Sequence, residues 1–98
     1  MTTVYRLIHI KVDPSQIEQA EKLWKAECSQ LMIRQPGCRS ERLLKCLDEP
    51  GEYISYSEWD DEQSIDRYRG SNDHKQIQQQ AMALQGARAN VKRYVSVS

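Results

Sequence analysis

Residues 4–12, VYRLIHIKV, alternate in character, and the apolar positions that follow, Ile17, Ala20, Trp24, Cys28 and Leu31, recur at three- and four-residue spacing. The first period is that of a strand and the second that of an amphipathic helix. In the strand Val4, Ile8, Ile10 and Val12 share one side, with Arg6 the exception, while Tyr5, Leu7, His9 and Lys11 point the other way. Asp13 is a good N-cap, and Pro14 suits the first helical position, where no amide hydrogen bond is lost. The helix must end before Gln35-Pro36-Gly37, because Pro36 disfavours helical geometry at Gln35 and Gly37 supplies a turn.

The same change of period then recurs. Cys38 to Leu47 alternates, Asp48-Glu49-Pro50-Gly51 is turn chemistry, and Tyr53 to Trp59 reads as a third strand. Asp60 is expected to cap a helix, with Gln63 three residues on as in a capping box, and Ile65 and Tyr68 on its apolar side. Gly70-Ser71-Asn72 interrupts it, and a further helix from about Asp73 carries Ile77, Ala81 and Leu84 and stops at Gly86. Val91, Arg93, Val95 and Val97 alternate with Lys92, Tyr94 and Ser96 in a last strand.

The order β-α-β-β-α-β predicts an α+β, ferredoxin-like fold, an antiparallel four-stranded sheet with helices on one face, as a single domain over residues 1–98. Hydrophobic residues make up only 39% of the chain and phenylalanine is absent, yet tyrosine and valine occupy more than one strand face. A homodimer covering the helix-free sheet face is therefore expected.

Fourteen basic and fourteen acidic side chains cancel, leaving no basic stripe for a phosphate backbone, so nucleic acid is not an expected partner. No apolar run approaches the ~18 residues of a membrane span. The N-terminal stretch lacks a signal-peptide pattern, so the cytoplasm is the expected compartment and no membrane partner is expected. Cys28, Cys38 and Cys46 have no C-x-x-C spacing and read as reduced, mostly buried residues. No metal site is expected.

Residues 35–76 resemble the antibiotic biosynthesis monooxygenase domain family. The resemblance rests on Pro36-Gly37-Cys38 opening the second strand, the turn LDEPGEY, Glu58-Trp59 before an acidic helix start, and Ser71 through His74 ahead of the last helix. The order and spacing of these pieces carry it, and the element lengths extend it over nearly the whole chain. It implies a dimeric α+β barrel. Some members oxidise quinols or anthrones with molecular oxygen and no metal or flavin; relatives degrade haem, and others isomerise or process small signalling molecules. Many members carry a histidine nine residues beyond the tryptophan position, where this chain has Tyr68. Tyr68 and Gln78 fall where the haem-degrading branch has its tryptophan and histidine, and the first strand has no asparagine, so haem degradation is disfavoured.

The resemblance implies a monooxygenase needing no cofactor that oxidises a small electron-rich aromatic of quinol or anthrone type. The alternatives are a non-catalytic small-molecule-binding dimer and an isomerase or cyclase on the same fold. Trp59, at a strand end, is placed to be both core and the wall on which a flat ligand stacks. His74 is the candidate base for a phenolic proton, with His9 as the other histidine. Tyr68 and Tyr56 are candidates for hydrogen-bonding a quinol oxygen. Arg42 and Arg93 are mid-strand cations that need a partner if buried; surface ion pairing is their expected fate, the alternative being that one of them pairs with Glu41, Glu58 or a ligand oxygen. Trp24 reads as core.

Overall fold

The computed structural model describes residues 2–82 and 88–97. Along the chain these form β1 (Val4–Lys11), a 3-10 turn (Pro14–Gln16), α1 (Ile17–Leu23), a π-helical turn (Trp24–Cys28) and α2 (Ser29–Ile33). There follow β2 (Cys38–Lys45), β3 (Glu52–Trp59), α3 (Glu62–Arg69), α4 (Asn72–Met82) and β4 (Arg88–Val95). The four strands form one antiparallel sheet in the order β2-β3-β1-β4. This is the predicted ferredoxin-like arrangement, with the helices over one face.

Strand parity assigns the two faces. The register Val4↔Trp59, Arg6↔Ser57, Ile8↔Ser55 and Ile10↔Tyr53 places these residues together under the helices. Tyr5, Leu7 and His9 align with Glu58, Tyr56 and Ile54 on the opposite, helix-free face. The main core gathers where α2, α3 and α4 meet the Trp59 end of the sheet, from Val4, Cys28, Met32, Trp59, Ile65, Tyr68 and Ile77.

Two glycines fix the connections. Gly37 and Gly51 both have φ of +88°, which favours glycine. A Cβ on Gly51 would lie 2.4 Å from the Val12 carbonyl oxygen, and the Gly51 carbonyl accepts from the Val12 amide at 2.9 Å. The Gly37 carbonyl accepts from the Asp60 amide at 2.9 Å, tying the start of β2 to the end of β3.

That bond corrects the predicted cap. With Asp60 held in the β2–β3 junction, the N-cap of α3 is Asp61, whose Oδ1 accepts from the Ser64 amide at 2.8 Å and the Ser64 hydroxyl at 2.7 Å. Ser64 therefore holds the third helical position predicted for Gln63. β2 ends at Lys45 rather than Leu47, and β4 starts at Arg88 and ends at Val95, leaving Val97 outside it. Leu84 and Gly86 lie outside the described residues. None of the three cysteines is in a disulfide.

Candidate functional site

A cavity of about 410 Å³ lies between the sheet and the helices. Its walls are mainly apolar, with Ile8, Ile10 and Val91 from the sheet, Leu23 and Met32 from the first helical segment, and Ile77 from α4. Among the described residues that line it there is no carboxylate. Its charged or ionisable members include Arg6 of β1, Tyr68 of α3 and His74 of α4.

The π-helical turn helps to shape this wall. One wider turn shifts the helix register, and Ala20 and Leu23 of α1, Trp24 and Cys28 of the turn and Met32 of α2 all reach the cavity. Trp24 is anchored by its indole N–H, which donates to Glu41 Oε1 at 2.8 Å; Glu41 also accepts from the Ser29 hydroxyl. Trp24, read as core, is thus both packing and cavity wall. Glu41 serves this indole rather than an arginine.

His74 is set by the α3–α4 junction. The Ser71 hydroxyl donates to the Tyr68 carbonyl at 2.5 Å and accepts from the His74 amide at 3.2 Å, capping α4. The imidazole is only 7% exposed and meets the Tyr68 ring edge-on, with centroids 5.0 Å apart. Its Nδ1 is buried with no hydrogen-bond partner among the described residues. Burial holds its pKa below the ordinary 6.5, and the nearby Arg6 and Arg69 charges push the same way, against a smaller raising effect of a hydrogen bond to the Arg69 backbone. The ring is therefore a neutral imidazole at neutral pH. Burial likewise pushes the Tyr68 hydroxyl up to about 12, against the lowering effect of Arg6.

Arg6 is the residue that breaks the apolar alternation of β1. Its side chain is 2% exposed, and Nε and Nη1 find no acceptor among the described residues. The guanidinium carbon lies 5.5 Å from the Tyr68 ring centroid. A desolvated cation–π contact is worth about 2 kcal/mol, whereas removing an ion from water costs several. The contact does not offset the burial. Ser55 Oγ, opposite Ile8, is also buried without a partner among the described residues.

The candidates named from sequence separate into two groups. Tyr68 and His74 line the cavity. Trp59, fully buried, stacks behind Tyr68 with centroids 5.4 Å apart and planes at 27°, and its indole N–H donates to Ser57 Oγ at 2.8 Å. Tyr56, Arg42 and His9 lie on the helix-free face, where Tyr56 donates to Glu58 Oε1 at 2.6 Å and Ser40 donates to Glu58 Oε2 at 2.9 Å. Arg93 makes surface ion pairs, the expected fate, with Asp66 at 2.6 Å and Glu62 at 3.4 Å on α3 rather than with Glu41 or Glu58. Arg6 was visible in the sequence as an exception to the alternation, and that exception was the only sign of its place in the site.

Among the described residues no group of three or more His, Cys, Asp or Glu is placed to hold a metal ion. No helix is long and apolar enough to cross a membrane.

The family model described as antibiotic biosynthesis monooxygenase matches residues 3–80. Among solved structures, Rv0793 from Mycobacterium tuberculosis superposes with a TM-score of 0.83 at 20% identity, covering 99% of this chain and 97% of that one. A conserved protein from Methanosarcina mazei Go1 gives 0.80 at 21% identity, covering 96% and 92%. SnoaB, a cofactor-independent oxygenase from Streptomyces nogalater, gives 0.78 at 17% identity, covering 100% and 96%. At these identities the likeness shows the shared fold. No curated protein matches the chain.

Proposed function

The chain belongs to the antibiotic biosynthesis monooxygenase family, and on that premise we propose that it oxidises a small hydroxylated aromatic with molecular oxygen, using no cofactor. The observation that carries this reading is His74, a buried neutral imidazole with an unpartnered Nδ1 in a mainly apolar cavity. Such a base can take a ring hydroxyl proton where water does not level the resulting anion. The described oxygenase activity of SnoaB agrees with the reading at the level of the fold.

The chemistry then balances without an added reductant. The arenolate gives one electron to dioxygen, and the resulting aryloxyl radical and superoxide combine to form a carbon–oxygen bond. The proton held on His74 returns to the outer peroxide oxygen. Cleavage of the O–O bond, with loss of the ring-carbon hydrogen, releases water and leaves a quinone carbonyl. One oxygen atom enters the product and the other leaves as water, all electrons coming from the substrate. Tyr68 flanks the ring, and Trp59 holds Tyr68 in place from behind.

Oxygen uptake by the purified protein with a panel of hydroxynaphthalenes and anthrones tests this. The expected result is uptake well above the protein-free rate, one dioxygen consumed per quinone formed, without hydrogen peroxide. Uptake equal to the spontaneous rate across the panel would count against the oxygenase and favour a binding protein or an isomerase.

The helix-free face supports pairing of two copies. Leu44 and Tyr94 there are 46% and 43% exposed, beside Leu7, Ile54, Tyr5 and Tyr56. A face of this kind is unfavourable against water. Light scattering should give twice the mass of one chain; a stable monomer would contradict the pairing. Tyr56, Arg42 and His9 would then belong to an interface.

A further inference from the structure

We propose that the cavity selects a flat aromatic acid that arrives already ionised, its carboxylate held by the Arg6 guanidinium. The inference rests on reading the cavity as a substrate site and names the class of substrate. Arg6 reaches it from β1, and two of its nitrogens are buried with no acceptor among the described residues. The neighbouring charges make the deficit larger. Arg69 and Arg93 add positive potential around Arg6. Of the nearby acids, Asp66 and Glu62 are engaged by Arg93, and Asp73 accepts from Gln35 Nε2 at 2.7 Å. Tyr68, whose ring faces the guanidinium, and His74 are neutral at neutral pH.

A buried guanidinium lacking an acceptor calls for an anion, and a carboxylate matches its planar array of N–H donors. A phenol would arrive uncharged, since its pKa is near 10, and would leave the cation unpaired during binding. A carboxylate is ionised throughout the neutral range. Most of the remaining surface is aliphatic or aromatic, with Trp24, Tyr53 and Tyr68 suiting an aromatic body; Gln78 and a second cation, Arg88, also line it. Arg6 and His74 thus divide the polar work: one holds a permanent anion, and the other takes the proton of a separate hydroxyl.

The test is calorimetric binding of 2-naphthoate and of its neutral isostere 2-naphthamide, without turnover, to the wild-type protein, Arg6→Met and Arg6→Lys. In the wild type, naphthoate should bind more tightly than the amide by roughly 30-fold, the scale of one charge-assisted pair. Arg6→Met should abolish that preference, with circular dichroism confirming its fold, and Arg6→Lys should restore part of it. Equal affinity of the wild type for the two probes, no naphthoate binding at millimolar concentration, or an unchanged preference in folded Arg6→Met would each overturn the proposal. Equal wild-type affinities overturn the proposal even if the Arg6 variants do not fold, and Arg88→Met, which should keep the preference, separates Arg6 from the other cation of the lining. The readout is separate from oxygen uptake. A naphthoate preference lost in Arg6→Met, with no uptake on any hydroxyaromatic, would leave the anion site standing and remove the oxygenase. Uptake on hydroxynaphthalenes, together with equal wild-type affinity for naphthoate and naphthamide, would do the reverse.

Discussion

Replacing His74 with glutamine should lower the rate of oxygen consumption by roughly 10²–10⁴-fold, the usual weight of a positioned general base. Glutamine keeps a comparable volume and removes the titrating nitrogen, so the fold at pH 8 should be retained. The pH dependence separates this role from packing. Because the folded protein holds the imidazole below its ordinary pKa of 6.5, the unfolded chain takes up the proton first as the solution is acidified. Stability contributed by the neutral ring is present above pH 6.5 and is lost as pH falls toward the folded value. His74→Gln should lack that loss, and melting followed from pH 8 to pH 5 measures it. The acid limb of the rate should also lie below pH 6.5 in the wild type. In Arg6→Met the limb should move upward, because one of the charges holding the imidazole neutral has gone. A His74→Gln enzyme with full activity would remove the proposed base.

Replacing Trp59 with alanine should cost about 3–5 kcal/mol, as for other large aromatic residues lost from a core. The indole is fully buried, stacks on Tyr68 and satisfies Ser57, so its removal opens a void and leaves a hydroxyl without its donor. A domain of this size has roughly 5–15 kcal/mol in total, and each kcal/mol shifts the melting temperature by about 4–8 °C. A fall of roughly 12–40 °C follows. Trp59→Phe, which keeps an aromatic stack and loses the N–H, should cost only about 1–2 kcal/mol. If Trp59→Ala melted as the wild type does, its placement as a structural backing for Tyr68 would be wrong.

The fold was largely legible because each element buries one face and its period reports which. The alternation of residues 4–12 gives β1, and the three- and four-residue spacing from Ile17 to Leu31 gives the first helical segment. What the period does not contain is the insertion of a π turn, since the extra residue shifts the register without breaking the apolar face. Asp60 and Asp61 are both adequate caps in sequence. The long-range bond from the Asp60 amide to Gly37 decides between them.

The site was less legible for the same physical reason. Whether His74 faces solvent or the interior depends on how α4 packs against α2 and the sheet, which its own short helix does not report. Strand parity did separate His9 from Arg6, two sides of one strand, yet parity alone does not say which side encloses a cavity. Arg6 stood out as a charge on an apolar face. Its functional weight emerged only once the described surroundings offered it no acceptor.

The most direct measurement of the central claim is the fate of isotopically labelled dioxygen during turnover of a hydroxynaphthoate by the wild-type protein. One labelled atom should appear in the quinone product and the other in water, at a rate far above the protein-free control. A product free of label, or labelled no faster than in that control, would contradict the monooxygenase reading.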